Sequence, residues 1–241
     1  MKNYTPDELL ERLEWRREIR NLVGRISHDY CVKEDAEIYD RYWCSRPDTC
    51  LGVNEGYYQG EEAVRGYYRA LGEEIALTSK LIYEKFPDAF PGKTEEDVYG
   101  VGMINYLPVD SYVIEIAEDA QTAKAIFNVR GSYCYLTDCG PVSNWTYGWM
   151  AVDFVMEDGE FKVWHMLMLY NVDHPCGVSF TEEPKKFEPV AGFEAMNDFH
   201  LPEPNVKKPI MEHYSAMRPY TKSPEVPVPY STFAETFSYG L

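Results

Sequence analysis

The hydrophobic period of this chain changes once, and that change limits the fold more than any other feature. Up to about residue 86, apolar residues recur at three- and four-residue steps; from Tyr99 to Tyr170 they alternate. Residues 5–31 carry Leu9, Leu13, Ile19, Leu22, Val23, Ile26 and Tyr30 on one helical stripe, and Thr5, Pro6 and Glu8 have the spacing of a capping box with proline in the first turn. A second helix is expected over 36–44, and a third over 61–86 through Val64, Tyr67, Tyr68, Leu71 and Ile75. Residues 49–59, with Gly52 and Gly56, read as a short strand or hairpin, and 87–97 as a loop. Candidate strands at 99–106, 110–117, 122–135, 145–156 and 161–170 are separated by EDAQ, TDCGP and EDGE. Connections that short leave no room for crossover helices, so neighbouring strands must run antiparallel. Helices followed by a meander define an α+β protein.

A chain of 241 residues accommodates one large domain, or one domain with an appendage. Periodicity ends near Pro175, which divides a domain over 1–175 from a segment over 176–241. That segment holds most of the 16 prolines, yet it also carries Phe180, Phe193, Tyr214, Tyr230 and Phe233, more aromatic residues than a disordered linker supports. We therefore expect an extended arm packed on the domain or on a partner subunit. The net charge of −17 repels phosphate backbones and anionic bilayers, so neither nucleic acid nor membrane is an expected partner. No apolar run approaches the ~18 residues of a membrane span. The start, MKNYTPDELL, lacks the pattern of a secretory leader, and a cytoplasmic protein is expected. The six cysteines form no CxxC pair and are expected to be reduced.

The stretch HDYCVKED, residues 28–35, concentrates candidate chemistry at the end of the first helix. Tyr30 extends the apolar stripe and points inward. Asp29 lies about 100° away and His28 farther, towards solvent or a neighbouring element. Asp35 is placed either to cap the second helix or to carry a carboxylate into a pocket. His165, in KVWHMLML, is the one histidine on an expected strand, where its ordinary pKa suits proton transfer. Asn128 and Arg130 share a strand face with Ser132, to hold a substrate carboxylate or to meet solvent. Asp153 interrupts an apolar strand, as a site residue or at an interface. Asp173, His174 and Cys176 lack a zinc-site spacing, so no metal is expected. Nucleotide-binding loops and GxSxG are absent, and no cofactor is expected.

The pieces GYYQGEEAVRGYY (56–68), VIEIAEDAQTAKAIF (113–127) and YGWMAVDFVMEDGEFKVWHM (147–166) resemble bacterial SnoaL-like proteins of the nuclear transport factor 2-like superfamily; PEVPVPYSTF (224–233) resembles an arm of its longer members. The resemblance implies a curved antiparallel sheet wrapped as a cone around the N-terminal helices. It also implies a dimer or trimer formed through the outer face of the sheet. Tyr30 and Asp35 match the tyrosine and aspartate that scytalone dehydratase and bile acid 7α-dehydratase place at the pocket, and His165 their strand histidine. In the family the residues at Phe161 and Val163 face into the cone, and by alternation His165 should follow. Related enzymes often carry a further histidine on the second or third strand, where this chain has Asn105, Tyr106 and Asp110. The implied activity is a cofactor-independent lyase or isomerase of dehydratase type, acting on a hydrophobic cyclic molecule. Tyr30, Asp35 and His165 would be catalytic; Trp43, Tyr106, Asp110, Asn128 and Arg130 would bind substrate. A binding module without chemistry is the alternative, because the fold hosts both.

Overall fold

The computed structural model describes residues 3–182, 188–219 and 224–234. Helix α1 (Pro6–Val32) starts as its sequence dictates: the Thr5 hydroxyl accepts from the Glu8 amide at 3.3 Å, and the Glu8 carboxylate accepts from the Thr5 amide at 2.7 Å. It stops at Lys33, whose left-handed backbone (φ 69°) lets the Lys33 and Glu34 amides both donate to the Asp29 carbonyl. This sharp reversal leads into a single tight turn, Asp35–Glu37, and the short helix α2 (Ile38–Tyr42). The hairpin strands β1 (Cys50–Val53) and β2 (Gly56–Gln59) precede helix α3 (Glu61–Lys85). Five strands then follow: β3 (Ile104–Tyr106), β4 (Val109–Ile116), β5 (Thr122–Thr137), β6 (Gly140–Glu157) and β7 (Glu160–Pro175).

All seven strands join one sheet in the order β2-β1-β7-β6-β5-β3, with β4 also pairing β5. Every pairing is antiparallel except β1 with β7, because β1 arrives from the helical half of the chain rather than from a hairpin. The TDCGP turn is tighter than its sequence suggests. Thr137 pairs with Gly140, so β5 and β6 run on past the expected ends and build a long, curved hairpin. Residues 99–103 form turns instead of strand: Gly100 and Gly102 take positive φ there.

Alternation gives the sheet two faces. The inner one, including Ala123, Ala125, Phe127, Val129, Met150, Val152 and Phe154, closes on Ile19, Val23, Ile26, Tyr30, Val64 and Tyr68 of α1 and α3 to form the main core. Arg12 and Arg16 of α1 donate to the carbonyls of Ala117 and Ile114 around β4, which seats the helix across that strand. Residues 200–214 lie along β2 and the outer face. Val206 and Tyr57 exchange backbone hydrogen bonds at 2.9 and 3.0 Å, and Met211 covers an outer cluster with Ile126, Leu167 and Leu169. Residues 230–233 reach the β4–β5 turn and set Phe233 on Trp164. The described part of 176–234 therefore packs on its own chain, with one short 3-10 turn at Glu194–Asn197. Residues 183–187, 220–223 and 235–241 of the expected arm lie outside the described residues.

Candidate active site

A cavity of about 550 Å³ opens between α1, α3 and the concave face of the sheet. The reversal at Lys33 delivers Asp35 to it. Asp35 is only 2% exposed, and its Oδ1 accepts from Asn105 Nδ2 at 3.4 Å, while Oδ2 has no hydrogen-bond partner among the described residues. The Asp35 side chain caps neither the turn nor α2. Burial pushes its carboxyl up to about 7; Lys33 and Asn105 oppose that rise, and Glu74 adds to it. A carboxylic acid that titrates near neutrality in the lining of a cavity is equipped to take and return protons.

Tyr30 stands beside it. Its ring tilts against Tyr68 at 6.5 Å between centroids. Burial holds the Tyr30 phenol well above its usual range, so it stays protonated and acts as a donor. Asp29 and His28 divide as helix geometry requires. His28 is exposed, whereas Asp29 is buried against α2, accepting from Arg41 Nη1 and the Tyr42 hydroxyl, both at 2.9 Å.

His165 lies on the opposite face of the sheet from Tyr30 and Asp35. Phe161 and Val163 do face the cone, but Trp164 is an extra residue: Phe154 pairs with Val163 and Asp153 with His165. This β-bulge inverts the alternation, so Met166, Met168 and Tyr170 point inward and His165 points outward. There its Nδ1 meets Asp153 Oδ2 at 2.9 Å, and Trp164 stacks on the imidazole at 4.2 Å between ring centroids. The expected substrate-binding residues are also elsewhere. Tyr106, Asn128 and Arg130 are exposed on the outer face, where Arg130 pairs with Asp110 at 2.9 Å. Trp43 is buried in the core, stacked on Tyr39. Each follows from strand parity: Tyr106, Asp110, Asn128 and Arg130 share the face of Ser132, and the cone is lined by their neighbours.

Asn105, one of the residues standing where related enzymes often carry a histidine, takes the place expected of Tyr106, and Tyr133 and Tyr135 of SYCYLT, not among the expected site residues, enter the cavity together, stacked at 5.0 Å. Tyr133 donates to Asp173 Oδ2 at 2.9 Å and Asn144 to Oδ1 at 2.5 Å, which fixes that carboxylate at the sheet end of the cavity. Asp173 and His174 point to opposite faces, as strand neighbours do, and among the described residues no cluster of metal-binding side chains forms. Glu74 was legible: it follows Tyr67 and Leu71 on the apolar stripe of α3, where a carboxylate must face the pocket. Burial raises its carboxyl too.

No family model matches the chain, and no curated protein does. Solved structures do. A protein from Novosphingobium aromaticivorans, provisionally assigned as a scytalone dehydratase, superposes with a TM-score of 0.50 at 12% identity, over 75% of this chain and 95% of that one. A hexachlorocyclohexane dehydrochlorinase, LinA-type3, from Novosphingobium barchaimii gives 0.46 at 16% identity over 72% and 99%. A protein of unknown function with a cystatin-like fold from Nostoc punctiforme gives 0.38 at 15% over 70% and 95%. Helices followed by a curved, unclosed sheet complete the match. This is the nuclear transport factor 2-like fold. At these identities the likeness is one of fold, and the chemistry must be argued from the cavity.

Proposed function

We propose that the protein is a cofactor-independent lyase or isomerase that works on a hydrophobic ring compound inside the cone, with Asp35 as its general base. The observation that carries this is the Asp35 carboxyl itself: buried, raised to about 7, without a hydrogen-bond partner for Oδ2 among the described residues, and in the lining of a cavity of about 550 Å³. That volume falls in the ordinary range for small-molecule sites. Asn105 orients the carboxylate through Oδ1, and the carboxylate receives the proton from a carbon next to a substrate carbonyl. Tyr30 supplies a hydrogen bond to the enolate oxygen that develops. An isomerase returns the proton from Asp35 to a second carbon. A dehydratase passes a proton to the departing hydroxyl. The base is thus a carboxylate, and the imidazole of His165 has no part in it.

The test is turnover of cyclic β-hydroxy ketones and unsaturated ketones, followed by ring absorbance. Asp35→Asn is expected to lower kcat/KM by about 100-fold or more, the usual worth of a positioned base. For the parent, kcat/KM should rise with pH to a plateau with its midpoint near the Asp35 value of about 7. Ligand binding without turnover across these classes would favour the alternative, a non-catalytic binding module.

A further inference from the structure

We propose that the cavity selects a positively charged ligand, an organic ammonium carried on an apolar ring, and rejects carboxylates. This deepens the reading of the cavity as a small-molecule site by naming the class of molecule. Three carboxylates line the interior, Asp35 from the turn after α1, Glu74 from α3 and Asp173 from β7, and Glu55 and Glu203 stand exposed at the mouth. Facing them is one lysine among the described lining residues, Lys33, whose ammonium already donates to the Cys31 carbonyl at 3.2 Å and is itself disfavoured by burial. Asp173 is satisfied by Tyr133 and Asn144, and Glu203 by Lys207. Asp35 Oδ2 is not satisfied, and it is buried. A buried carboxylate oxygen without a partner is a costly feature, and a positive charge in the adjoining cavity offsets that cost.

The walls have the matching property. Six tyrosines line the space: Tyr30, Tyr58, Tyr67, Tyr133, Tyr135 and Tyr170. Tyr58 and Tyr67 lie 4.9 Å apart between ring centroids. Aromatic faces attract cations through the ring quadrupole, most strongly where water is excluded. The carboxylates bear on the cage: Asp35 on Tyr67 and Tyr170, Asp173 on Tyr133, Tyr135 and Tyr170, and Glu74 on Tyr135, each making the field negative at the ring and holding the phenol proton more tightly. A neutral ligand would gain the apolar contact and leave this field uncompensated. A carboxylate would add to it. An ammonium gains both terms.

The test uses the full chain and three probes on one ring system: naphthylmethyl-trimethylammonium, naphthylmethanol and naphthylacetate. The quaternary ion has no N–H to donate, so any preference for it is electrostatic. Affinities are measured by calorimetry at about pH 8, above the Asp35 titration. The ammonium is expected to bind about tenfold or more tightly than the alcohol, and naphthylacetate more weakly than either. Glu74→Gln should reduce the ratio of ammonium to alcohol affinity. Equal binding of ammonium and alcohol overturns the charge inference and leaves the lyase reading intact. Failure of all three probes to bind overturns it together with the small-molecule reading. A clear ammonium preference upholds it, even where no ring substrate is turned over.

Discussion

Asp35 is where local sequence and tertiary setting pull against each other. Its position after a helix suggests a cap in water, but the left-handed turn at Lys33 carries it inward and removes its solvent. Stability should record that conflict. Its carboxyl is raised from an unfolded value near 3.9 to about 7, so between these the folded state holds more protons than the unfolded state. Stability attributable to Asp35 is therefore retained below about pH 4 and lost as pH rises through 7, a swing of ~4 kcal/mol at most. Asp35→Asn removes this dependence. The melting temperature of the variant minus that of the parent should grow as pH is raised from about 5 to 8; a constant difference would mean the carboxyl is not held in an apolar setting. At His165 the expectation is the reverse. His165→Asn should leave the pH midpoint of turnover unmoved and lower the melting temperature, because Asp153 is fully buried and meets the imidazole on the outer face.

Elements of this fold are bent by single residues. One extra residue at Trp164 inverts β7, and a second irregularity, where Tyr147 pairs with Val172 and Gly148 with Tyr170, returns Asp173 to the inner face. Between these bulges the strand shows Met166, Met168 and Tyr170 to the cone, and beyond them Asp173. The bend opposite the second bulge depends on Gly148: a Cβ there would come within 1.8 Å of the Leu169 carbonyl oxygen. Gly148→Ala must therefore move backbone, and we expect a loss of about 2 kcal/mol or more in a denaturant melt. Gly24, in the middle of α1, is the control. Nothing lies within 4 Å of its Cβ position, and Gly24→Ala should stabilise the protein by about 0.5–1 kcal/mol. If both substitutions cost the same, the bend is not set by close backbone approach.

Over the whole molecule, the segment after Pro175 is a structural wall as well as an arm. The carbonyl of Pro202 accepts the Tyr58 hydroxyl at 2.6 Å, Asn205 and Gln59 exchange hydrogen bonds at 2.8 Å, and Leu201, Pro204 and His213 line the cavity mouth. Met211 and Phe193 are buried on the domain. Side chains of that size contribute about 1.5–3 kcal/mol each when fully buried, and a domain has only ~5–15 kcal/mol in total. A chain ending at Cys176 is expected to melt at much lower temperature and to lose affinity for ring probes. A truncated chain with unchanged melting and binding would show that the segment is dispensable to both domain and cavity.

Much of this was legible in the sequence, because it depends on neighbours in the chain. The change of period, the capping box at Thr5, the inward stripe from Ile19 to Tyr30 and the meander order all follow from spacing, which a helix or strand converts directly into direction; Leu9 and Leu13, on the same stripe, lie exposed. The solvent exposure of Asn128 and Arg130, one of the two readings their strand face allowed, follows the same rule. What spacing could not supply was any break in its own rule. A bulge adds one residue without a sequence mark, and every side chain beyond it changes face; this moved His165 out of the cone and brought Tyr170 in. Nor could spacing show that β5 and β6 run on to Thr137 and Gly140. The chain by itself determined which elements form and in what order. Only tertiary structure decided which carboxylates lose their water, because desolvation belongs to the closed cavity and to no single segment.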